Sequence, residues 1–174
     1  MKVASYDIVF QEIPGEVTLA LNLSGCPCHC PGCHSPHLAD DIGEELNETL
    51  LDGLINRYGS MITCVAFMGG DADPAEVLRL AGYIKSLSAE RSISASGLCS
   101  ISPQDGLKVA WYSGRPALPP SLEERVGERF SYLKLGPYIE SLGGLKSPTT
   151  NQRLYKRVGD DWQDMTSSFW KSNF

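Results

Sequence analysis

The chain gathers four of its six cysteines in one ten-residue stretch, Gly25-Cys26-Pro27-Cys28-His29-Cys30-Pro31-Gly32-Cys33-His34. Three of them, Cys26, Cys30 and Cys33, have the spacing C-x3-C-x2-C. With this spacing, one short loop can offer three thiolates to a [4Fe–4S] cube and leave the fourth iron without a protein ligand. An iron with an open position can bind and activate a substrate. The stretch therefore favours a reactive iron–sulfur site.

Zinc is the competing interpretation of this loop. A structural zinc ion usually takes four ligands in two separated pairs, and the chain has no distant second C-x-x-C or H-x3-H pair. All four ligands would have to come from the one loop, helped by His29, His34 or His37. Cys28 fits no ligand spacing beside the other three cysteines. It is an inert neighbour, a spare thiol, or a fourth ligand when no substrate is bound.

The composition limits the class of protein and its compartment. At 174 residues, 42% of them hydrophobic, the chain suits one domain with a buried core. Its 15 basic and 21 acidic residues give a net charge of −6, which argues against a nucleic-acid partner. No apolar run approaches the roughly 18–20 residues that span a bilayer, and Asp7 precedes any signal-like stretch. We therefore predict a cytoplasmic protein without a membrane partner, in which disulfides are disfavoured and the isolated Cys64 and Cys99 are structural.

Strand-like and helix-like segments alternate along the chain. Four apolar segments predict strands, namely Glu16–Leu23, Ile62–Met68, Leu107–Trp111 and Tyr132–Leu135. Capping residues and apolar faces predict three helices, from Asn47 to Gly59, from Asp73 through a capping box with Glu76 to Leu87, and from Ser121 to Phe130. The segment from Ser86 to Ser102 predicts neither a clear strand nor a clear loop. This alternation predicts an α/β fold with a parallel sheet.

A short turn follows each predicted strand. The turns are the cysteine loop, Gly69-Gly70-Asp71, Tyr112-Ser113-Gly114 and Gly136-Pro137. Because the carboxyl ends of parallel strands lie at one edge of a sheet, we expect these turns to form one site. Glycines let a ligand approach the backbone closely, and the carboxylate of Asp71 can pair with an ammonium group.

Several segments together carry a resemblance to a known family. They are Ser24-Gly25-Cys26-Pro27, Cys30-Pro31-Gly32-Cys33-His34, Gly69-Gly70-Asp71, Trp111-Tyr112-Ser113-Gly114, the run from Tyr132 to Ile139, and Thr149-Thr150-Asn151-Gln152-Arg153. The cysteine spacing, followed by a strand that ends in Gly-Gly-acid, resembles the radical S-adenosylmethionine superfamily. The other segments and the short length resemble the activating proteins of anaerobic (class III) ribonucleoside-triphosphate reductases. The resemblance covers roughly residues 5–158.

The resemblance implies a fold and a set of site residues. The fold would be a compact single domain over residues 1–158, an open partial (βα) barrel of mainly parallel strands, with an aromatic-containing tail over 159–174. The catalytic [4Fe–4S] cluster would be ligated by Cys26, Cys30 and Cys33. The methionyl amino group of S-adenosylmethionine would be held by Gly69, Gly70 and Asp71. Ser113 would lie near the methionine or ribose part of that cofactor.

The resemblance also implies an activity and its partners. The reduced cluster would cleave S-adenosylmethionine to methionine and a 5′-deoxyadenosyl radical, which would take a hydrogen atom from a glycine of the large reductase subunit. The partners would be that glycyl-radical subunit and a low-potential electron donor such as flavodoxin or ferredoxin. The alternatives are an activase of another glycyl-radical enzyme, a radical enzyme that acts on a small metabolite, and a zinc-stabilised binding module without catalysis.

Some positions depart from the family pattern. Gly32 stands where an aromatic residue often covers the adenine, so the adenine would need another face, for which Phe67 and Met68 are candidates. Asp71 replaces the commoner Glu, although Asp also occurs in this branch. Ala72-Asp73 separates this acid from Pro74, where a proline often follows directly, and Ser131 and Leu135 stand where acids are frequent. None of these departures removes a cluster ligand.

The C-terminal segment carries two further predictions. Arg153 and Arg157 alternate with apolar residues on a predicted edge strand and are expected to have surface roles. The aromatic residues Trp162, Phe169 and Trp170 are expected either to fold back over the core or to dock on the partner.

Overall fold

The computed structural model describes residues 1–94, 106–118 and 120–170. Within these residues the strands are β1 (Lys2–Val9), β2 (Thr18–Leu23), β3 (Glu44–Glu45), β4 (Cys64–Met68), β5 (Lys108–Tyr112), β6 (Tyr132–Leu135), β7 (Arg153–Val158) and β8 (Asp161–Asp164). The helices are α1 (Glu48–Tyr58), α2 (Pro74–Ser94) and α3 (Pro120–Arg129), with short 3₁₀ helices at Pro36–Ala39 and Thr166–Phe169. All four predicted strands and all three predicted helices are therefore present.

In the described part of the chain, these strands form one sheet in the order β3-β1-β2-β4-β5-β6-β7-β8. The four central strands, β2, β4, β5 and β6, run parallel, and helices connect β4 to β5 and β5 to β6. The pairings of β1 with β2 and β3, and of β7 with β6 and β8, are antiparallel. The prediction of an α/β fold is confirmed. The prediction of mainly parallel strands is wrong, because the flanking strands make most pairings antiparallel.

The helices begin where the sequence places their caps. The Asn47 side chain accepts a hydrogen bond from Leu50 N at 3.0 Å and caps α1. Asp73 accepts one from Glu76 N at 3.1 Å and caps α2. The predicted capping box is only half formed, because the Glu76 carboxylate instead binds the Arg79 guanidinium at 2.8 Å. A neighbouring cation thus competes successfully for the acid that would complete the box.

The sheet buries apolar side chains on both faces. Alternating strand residues point to opposite faces, so Phe67 packs in the larger, helix-covered cluster while Met68 borders the smaller one. The Phe67 ring is fully buried, with its centroid 6.4 Å from that of Phe130. Phe67 is therefore not available to cover an adenine, which leaves Met68 of the two candidates. Cys64 is buried in the smaller cluster, in keeping with its predicted structural role.

The C-terminal segment folds back onto the domain as far as residue 170. Strand β8 pairs with β7, so β7 is not the edge strand that the sequence predicted. Trp162 packs against the larger cluster and Phe169 against the smaller one. The Trp170 indole Nε1 donates to Leu145 O at 3.0 Å. These contacts favour packing on the core over the alternative of a free docking tail.

Two sequence predictions fall partly or wholly outside the described residues. The ambiguous segment from Ser86 to Ser102 begins as part of α2, which runs to Ser94, and its remainder lies outside them together with Cys99. Among the helices that are described, none combines the length and the apolar character needed to cross a bilayer.

Candidate functional site

The turns after the parallel strands meet at one edge of the sheet. Gly69 N donates to Tyr112 O at 2.9 Å and joins the turn after β4 to the end of β5. Ser113 N donates to Lys134 O at 2.9 Å, which joins the turn after β5 to β6. Gly136 N donates to Arg115 O at 2.7 Å. The structure thus brings together the turns that the sequence places at this edge.

The two glycines before Asp71 are required by the local backbone. Gly69 and Gly70 have φ angles of +109° and +87°, which disfavour other residues. A Cβ on Gly70 would also lie 2.5 Å from Val77 Cγ2 and 2.9 Å from Leu23 Cδ1. The amide of Gly69 is already bonded to the neighbouring strand, so the turn serves first to fix the position of Asp71.

Asp71 is a buried acid, 3% exposed, at the centre of this edge. Its Oδ1 accepts a hydrogen bond from Ser113 Oγ at 2.6 Å, and its Oδ2 accepts one from Gly114 N at 2.7 Å. The Arg115 Nε lies 3.5 Å from Oδ1, and Arg115 Nη2 donates to the Asp71 carbonyl at 2.8 Å. The carboxylate is therefore held rigidly, with its charge partly balanced. Sequence reasoning missed Arg115, whose only signal was its place directly after Ser113-Gly114.

The cysteine loop is shaped by residues in the left-handed region of φ. Gly25 and Gly32 both have φ of +71°, and His29 has φ of +43°. Cys26 N donates to Leu38 O at 2.9 Å, so the following 3₁₀ helix closes the loop. All four loop cysteines are free and partly exposed, which leaves their thiols accessible for ligation.

Cys28 is the thiol that joins the loop to the acid. Its Sγ donates to Asp71 Oδ2 at 3.7 Å. A Cβ on Gly114 would lie 2.5 Å from this sulfur, so the glycine makes room for it. Burial, followed by the charge of Asp71, raises the pKa of Cys28 to about 12 and keeps its thiol protonated. Cys28 therefore acts in this structure as a weak hydrogen-bond donor to the acid.

Lys134 brings a buried cation to the same edge. Lys134 is buried, and its Nζ donates to Gly136 O at 2.6 Å and to Ser113 O at 3.4 Å. Burial lowers the pKa of Lys134 to about 8, while the charges of Asp71 and of the loop cysteines act in the opposite direction. Sequence reasoning assigned no site role to this lysine, because it lies inside a mostly apolar strand.

The loop after Gly136-Pro137 lies against the cysteine loop. The rings of His34 and Tyr138 are 5.2 Å apart. A Cβ on Gly32 would lie 3.1 Å from Glu140 Cδ. Gly32 is thus bordered by an acidic side chain.

The thiol donors of the cysteine loop are of the type that iron–sulfur clusters use. Among the described residues, no group of three or more His, Cys, Asp or Glu side chains is arranged to hold one metal ion. Three thiolates that each bind a different iron need not converge on one point. Soft thiolate donors at Cys26, Cys30 and Cys33 match the ligands that iron–sulfur clusters use.

One comparison with known proteins supports an iron–sulfur cluster in this chain. The family model of a 4Fe-4S single cluster domain matches residues 14–99. The chain is similar to an iron–sulfur domain. The matched segment contains the cysteine loop and Gly69-Gly70-Asp71, and it supports an iron–sulfur protein with a [4Fe–4S] cluster. Neither the search of curated proteins nor the search of solved structures found a match.

Proposed function

We propose that this chain is a radical S-adenosylmethionine activase of anaerobic ribonucleotide reductase. Cys26, Cys30 and Cys33 would ligate a [4Fe–4S] cluster, and Asp71 would bind the amino group of S-adenosylmethionine. When bound and reduced, the cluster would supply one electron that breaks a C–S bond of the sulfonium, giving methionine and a 5′-deoxyadenosyl radical that takes a hydrogen atom from a glycine of the large subunit.

One contact carries most of this proposal. The Sγ of Cys28, in the middle of the cysteine motif, lies 3.7 Å from the carboxylate of Asp71, in the turn that follows the neighbouring parallel strand β4. A substrate bound at an open iron would therefore meet a buried acid. An acid at this position suits a ligand that carries both an ammonium group and an atom able to bind iron. The family match to a 4Fe-4S domain over the same segment supports the metal half of the site.

The residues around Asp71 have separate tasks in this proposal. Ser113 and Gly114 fix the direction of both carboxylate oxygens through hydrogen bonds of 2.6 and 2.7 Å. Cys28 is the weakest of the donors to Asp71, because a thiol donates weakly, so it is the one that an incoming ammonium group would displace. Arg115 contacts both the carboxylate and the backbone carbonyl of Asp71 and lowers the cost of burying its charge.

The test of the full proposal is radical transfer to a partner. Cluster-loaded protein, S-adenosylmethionine and a one-electron reductant are incubated without oxygen with the large subunit of a class III reductase. We expect the electron paramagnetic resonance doublet of a glycyl radical on the large subunit, and no signal with Cys30→Ser or with a large subunit that lacks its target glycine.

Other outcomes separate the alternatives. Cleavage of S-adenosylmethionine without a radical on the reductase would favour another glycyl-radical enzyme or a small metabolite as the substrate. Stoichiometric zinc with no cluster after anaerobic reconstitution would favour the binding module.

A further inference from the structure

Cys28 is the cysteine of the loop to which the proposed function gives no iron. It lies two residues from Cys26 and two residues from Cys30 in the chain, so its thiol belongs to the same short loop as the proposed ligands. It is free and partly exposed, and its Sγ contacts Asp71 Oδ2 at 3.7 Å. A further soft donor therefore lies beside the acid that is proposed to bind S-adenosylmethionine.

The turn after β5 leaves room for this sulfur. Gly114 is not one of the glycines with a positive φ, so the backbone does not require a glycine at this position. A Cβ there would lie 2.5 Å from Cys28 Sγ and 3.5 Å from Asp71 Oδ2. The absence of a side chain at Gly114 thus keeps a space in which the thiol and the carboxylate are neighbours.

The Cys28 thiol and S-adenosylmethionine need the same place. Three thiolate ligands leave one iron of a [4Fe–4S] cluster open, and the proposed cofactor has to reach both that iron and Asp71. The Cys28 thiol already contacts Asp71. A thiol that binds a metal ion loses its proton, here to water, so ligation of the open iron by Cys28 needs no oxidant or reductant.

The charges at this edge would make such a bond to iron a weak one. A thiolate beside Asp71 is a pair of like charges, which is unfavourable. Arg115 Nε lies 3.5 Å from Asp71 Oδ1, and the buried Lys134 ammonium donates to Ser113 O. These two cations reduce the repulsion without removing it. Cys28 is therefore expected to bind iron and still to be displaced by a better partner for Asp71.

We propose that Cys28 is a displaceable fourth ligand, which binds the open iron while S-adenosylmethionine is absent and leaves it when S-adenosylmethionine binds. This inference rests on the proposed function for the cluster and for its cofactor. It gives Cys28 a protective role, because an iron without a protein ligand is the one that oxidation removes most easily. Assembly of the cluster is not expected to require Cys28, since Cys26, Cys30 and Cys33 are sufficient to hold it.

The first test measures how fast the fourth iron is lost. Cluster-loaded protein without S-adenosylmethionine is treated anaerobically with ferricyanide, and electron paramagnetic resonance follows the [3Fe–4S] cluster that remains. Each conversion releases one Fe²⁺ and one electron, which ferricyanide accepts. Cys28→Ala is expected to form the [3Fe–4S] signal about 10-fold faster than the wild type.

The second test measures the affinity for S-adenosylmethionine. The same proteins are titrated in the oxidised state, in which no cleavage occurs. Cys28→Ala is expected to bind about 3- to 10-fold more tightly than the wild type, because no thiolate has to leave the iron first. A residue that only supported the shape of the site would weaken binding when removed.

Two further variants serve as controls. Cys28→Ser keeps a hydrogen-bond donor for Asp71 but lacks the soft thiolate, so it is expected to lose iron as Cys28→Ala does. Cys64 is buried in the smaller apolar cluster, away from the loop. Cys64→Ala is therefore expected to keep its iron and to bind S-adenosylmethionine as the wild type does.

Three results would overturn the role of Cys28. The first is an equal rate of iron loss in the wild type and in Cys28→Ala. The second is full protection in Cys28→Ser, which would show that the hydrogen bond to Asp71 retains the iron. The third is a failure of both variants to load a cluster, which would make Cys28 a permanent ligand.

The proposed function can fail separately from this inference. A wild-type protein that keeps its iron but does not bind S-adenosylmethionine would contradict both the displacement of Cys28 and the proposed function. A wild-type protein that binds and cleaves S-adenosylmethionine, yet loses iron as fast as Cys28→Ala, would overturn only the role of Cys28.

Discussion

Two buried acids stand at opposite edges of the same parallel strands, and their surroundings differ. Glu16 precedes β2 at the amino-terminal edge, where Lys108 Nζ, Tyr132 Oη and Thr63 Oγ1 all donate to its carboxylate at 2.6–2.7 Å. Asp71 follows β4 at the carboxyl-terminal edge, where one of its donors is a weak thiol at 3.7 Å. Glu16 is bound by strong donors throughout, whereas Asp71 keeps one partner that a ligand could replace.

The difference between Glu16 and Asp71 shows that one edge of the parallel strands can stabilise the fold while the opposite edge is left to bind a ligand. Burial alone would raise the pKa of Glu16, but the hydrogen bonds from Lys108, Thr63 and Tyr132 outweigh it and hold that pKa below its usual value. This acid thus stabilises the fold in its charged form. In (β/α)8 barrels the two edges are divided in the same way, with the active site at the carboxyl-terminal edge of the strands and residues that support stability at the amino-terminal edge.

The largest effect is expected within the cysteine loop, on cluster formation. Cys30→Ser should abolish cluster loading, because it removes one of three iron ligands, while Cys28→Ser should load as the wild type does. Iron and sulfide content and visible absorption after anaerobic reconstitution measure this. Equal loss in both variants would contradict the assignment of Cys26, Cys30 and Cys33 as the ligands.

The next largest effect separates the two acids by ligand binding. Asp71→Asn should weaken the binding of S-adenosylmethionine by about 100-fold, since an ammonium group loses its charged partner. Glu16→Gln should leave that affinity unchanged, because Glu16 lies at the other edge. Anaerobic titration of both cluster-loaded variants with S-adenosylmethionine measures this difference. Equal losses of affinity in the two variants would contradict the assignment of Asp71 as the acid that binds the ligand.

In a measurement of stability, we expect Glu16→Gln rather than Asp71→Asn to be the more strongly affected of these two variants. Glu16→Gln should lower the free energy of unfolding by about 2–3 kcal/mol at pH 7, because it weakens a buried pair with Lys108. The lowered pKa of Glu16 means that its contribution is present above the ordinary value of 4.5 and is lost as the pH falls through the folded value. The unfolding free energies of the wild type and of Glu16→Gln in urea should therefore converge once the pH lies below the lowered pKa of Glu16 in the folded protein. A gap that persists at low pH would contradict a charge-based role.

The smallest effect concerns the contact that holds the cysteine loop to Asp71. Gly114→Ala should cost about 1–2 kcal/mol, because its Cβ would lie 2.5 Å from Cys28 Sγ. Adding Cys28→Ala should restore most of that stability, since the sulfur is then gone. Thermal unfolding of the two single variants and the double variant measures the coupling. Additive losses would show that Cys28 and Gly114 do not touch in solution.

The sequence predicts the parts of this molecule that depend on local pattern. The cap at Asn47, the cap at Asp73 and the buried run that forms β4 follow from residue types at fixed spacing. The meeting of the cysteine loop with Asp71 and Ser113 follows from the geometry of parallel strands.

Long-range contacts explain what the sequence does not predict. Strand β8 is exposed and polar, so only its pairing with β7 identifies it. Lys134 and Arg115 acquire their roles from Ser113 and Asp71, which lie 21 and 44 residues away in the chain. The half-formed capping box depends on Arg79, whose charge competes for Glu76.

An assay of the reductive cleavage of S-adenosylmethionine tests the proposed function most directly. The protein is reconstituted anaerobically with iron and sulfide, checked for cluster absorption near about 400 nm, reduced, and assayed for methionine and 5′-deoxyadenosine. We expect both products in equal amounts, with their formation strongly reduced in Asp71→Asn and unaffected in Glu16→Gln. A protein that carries a full cluster and forms neither product would contradict the proposed function.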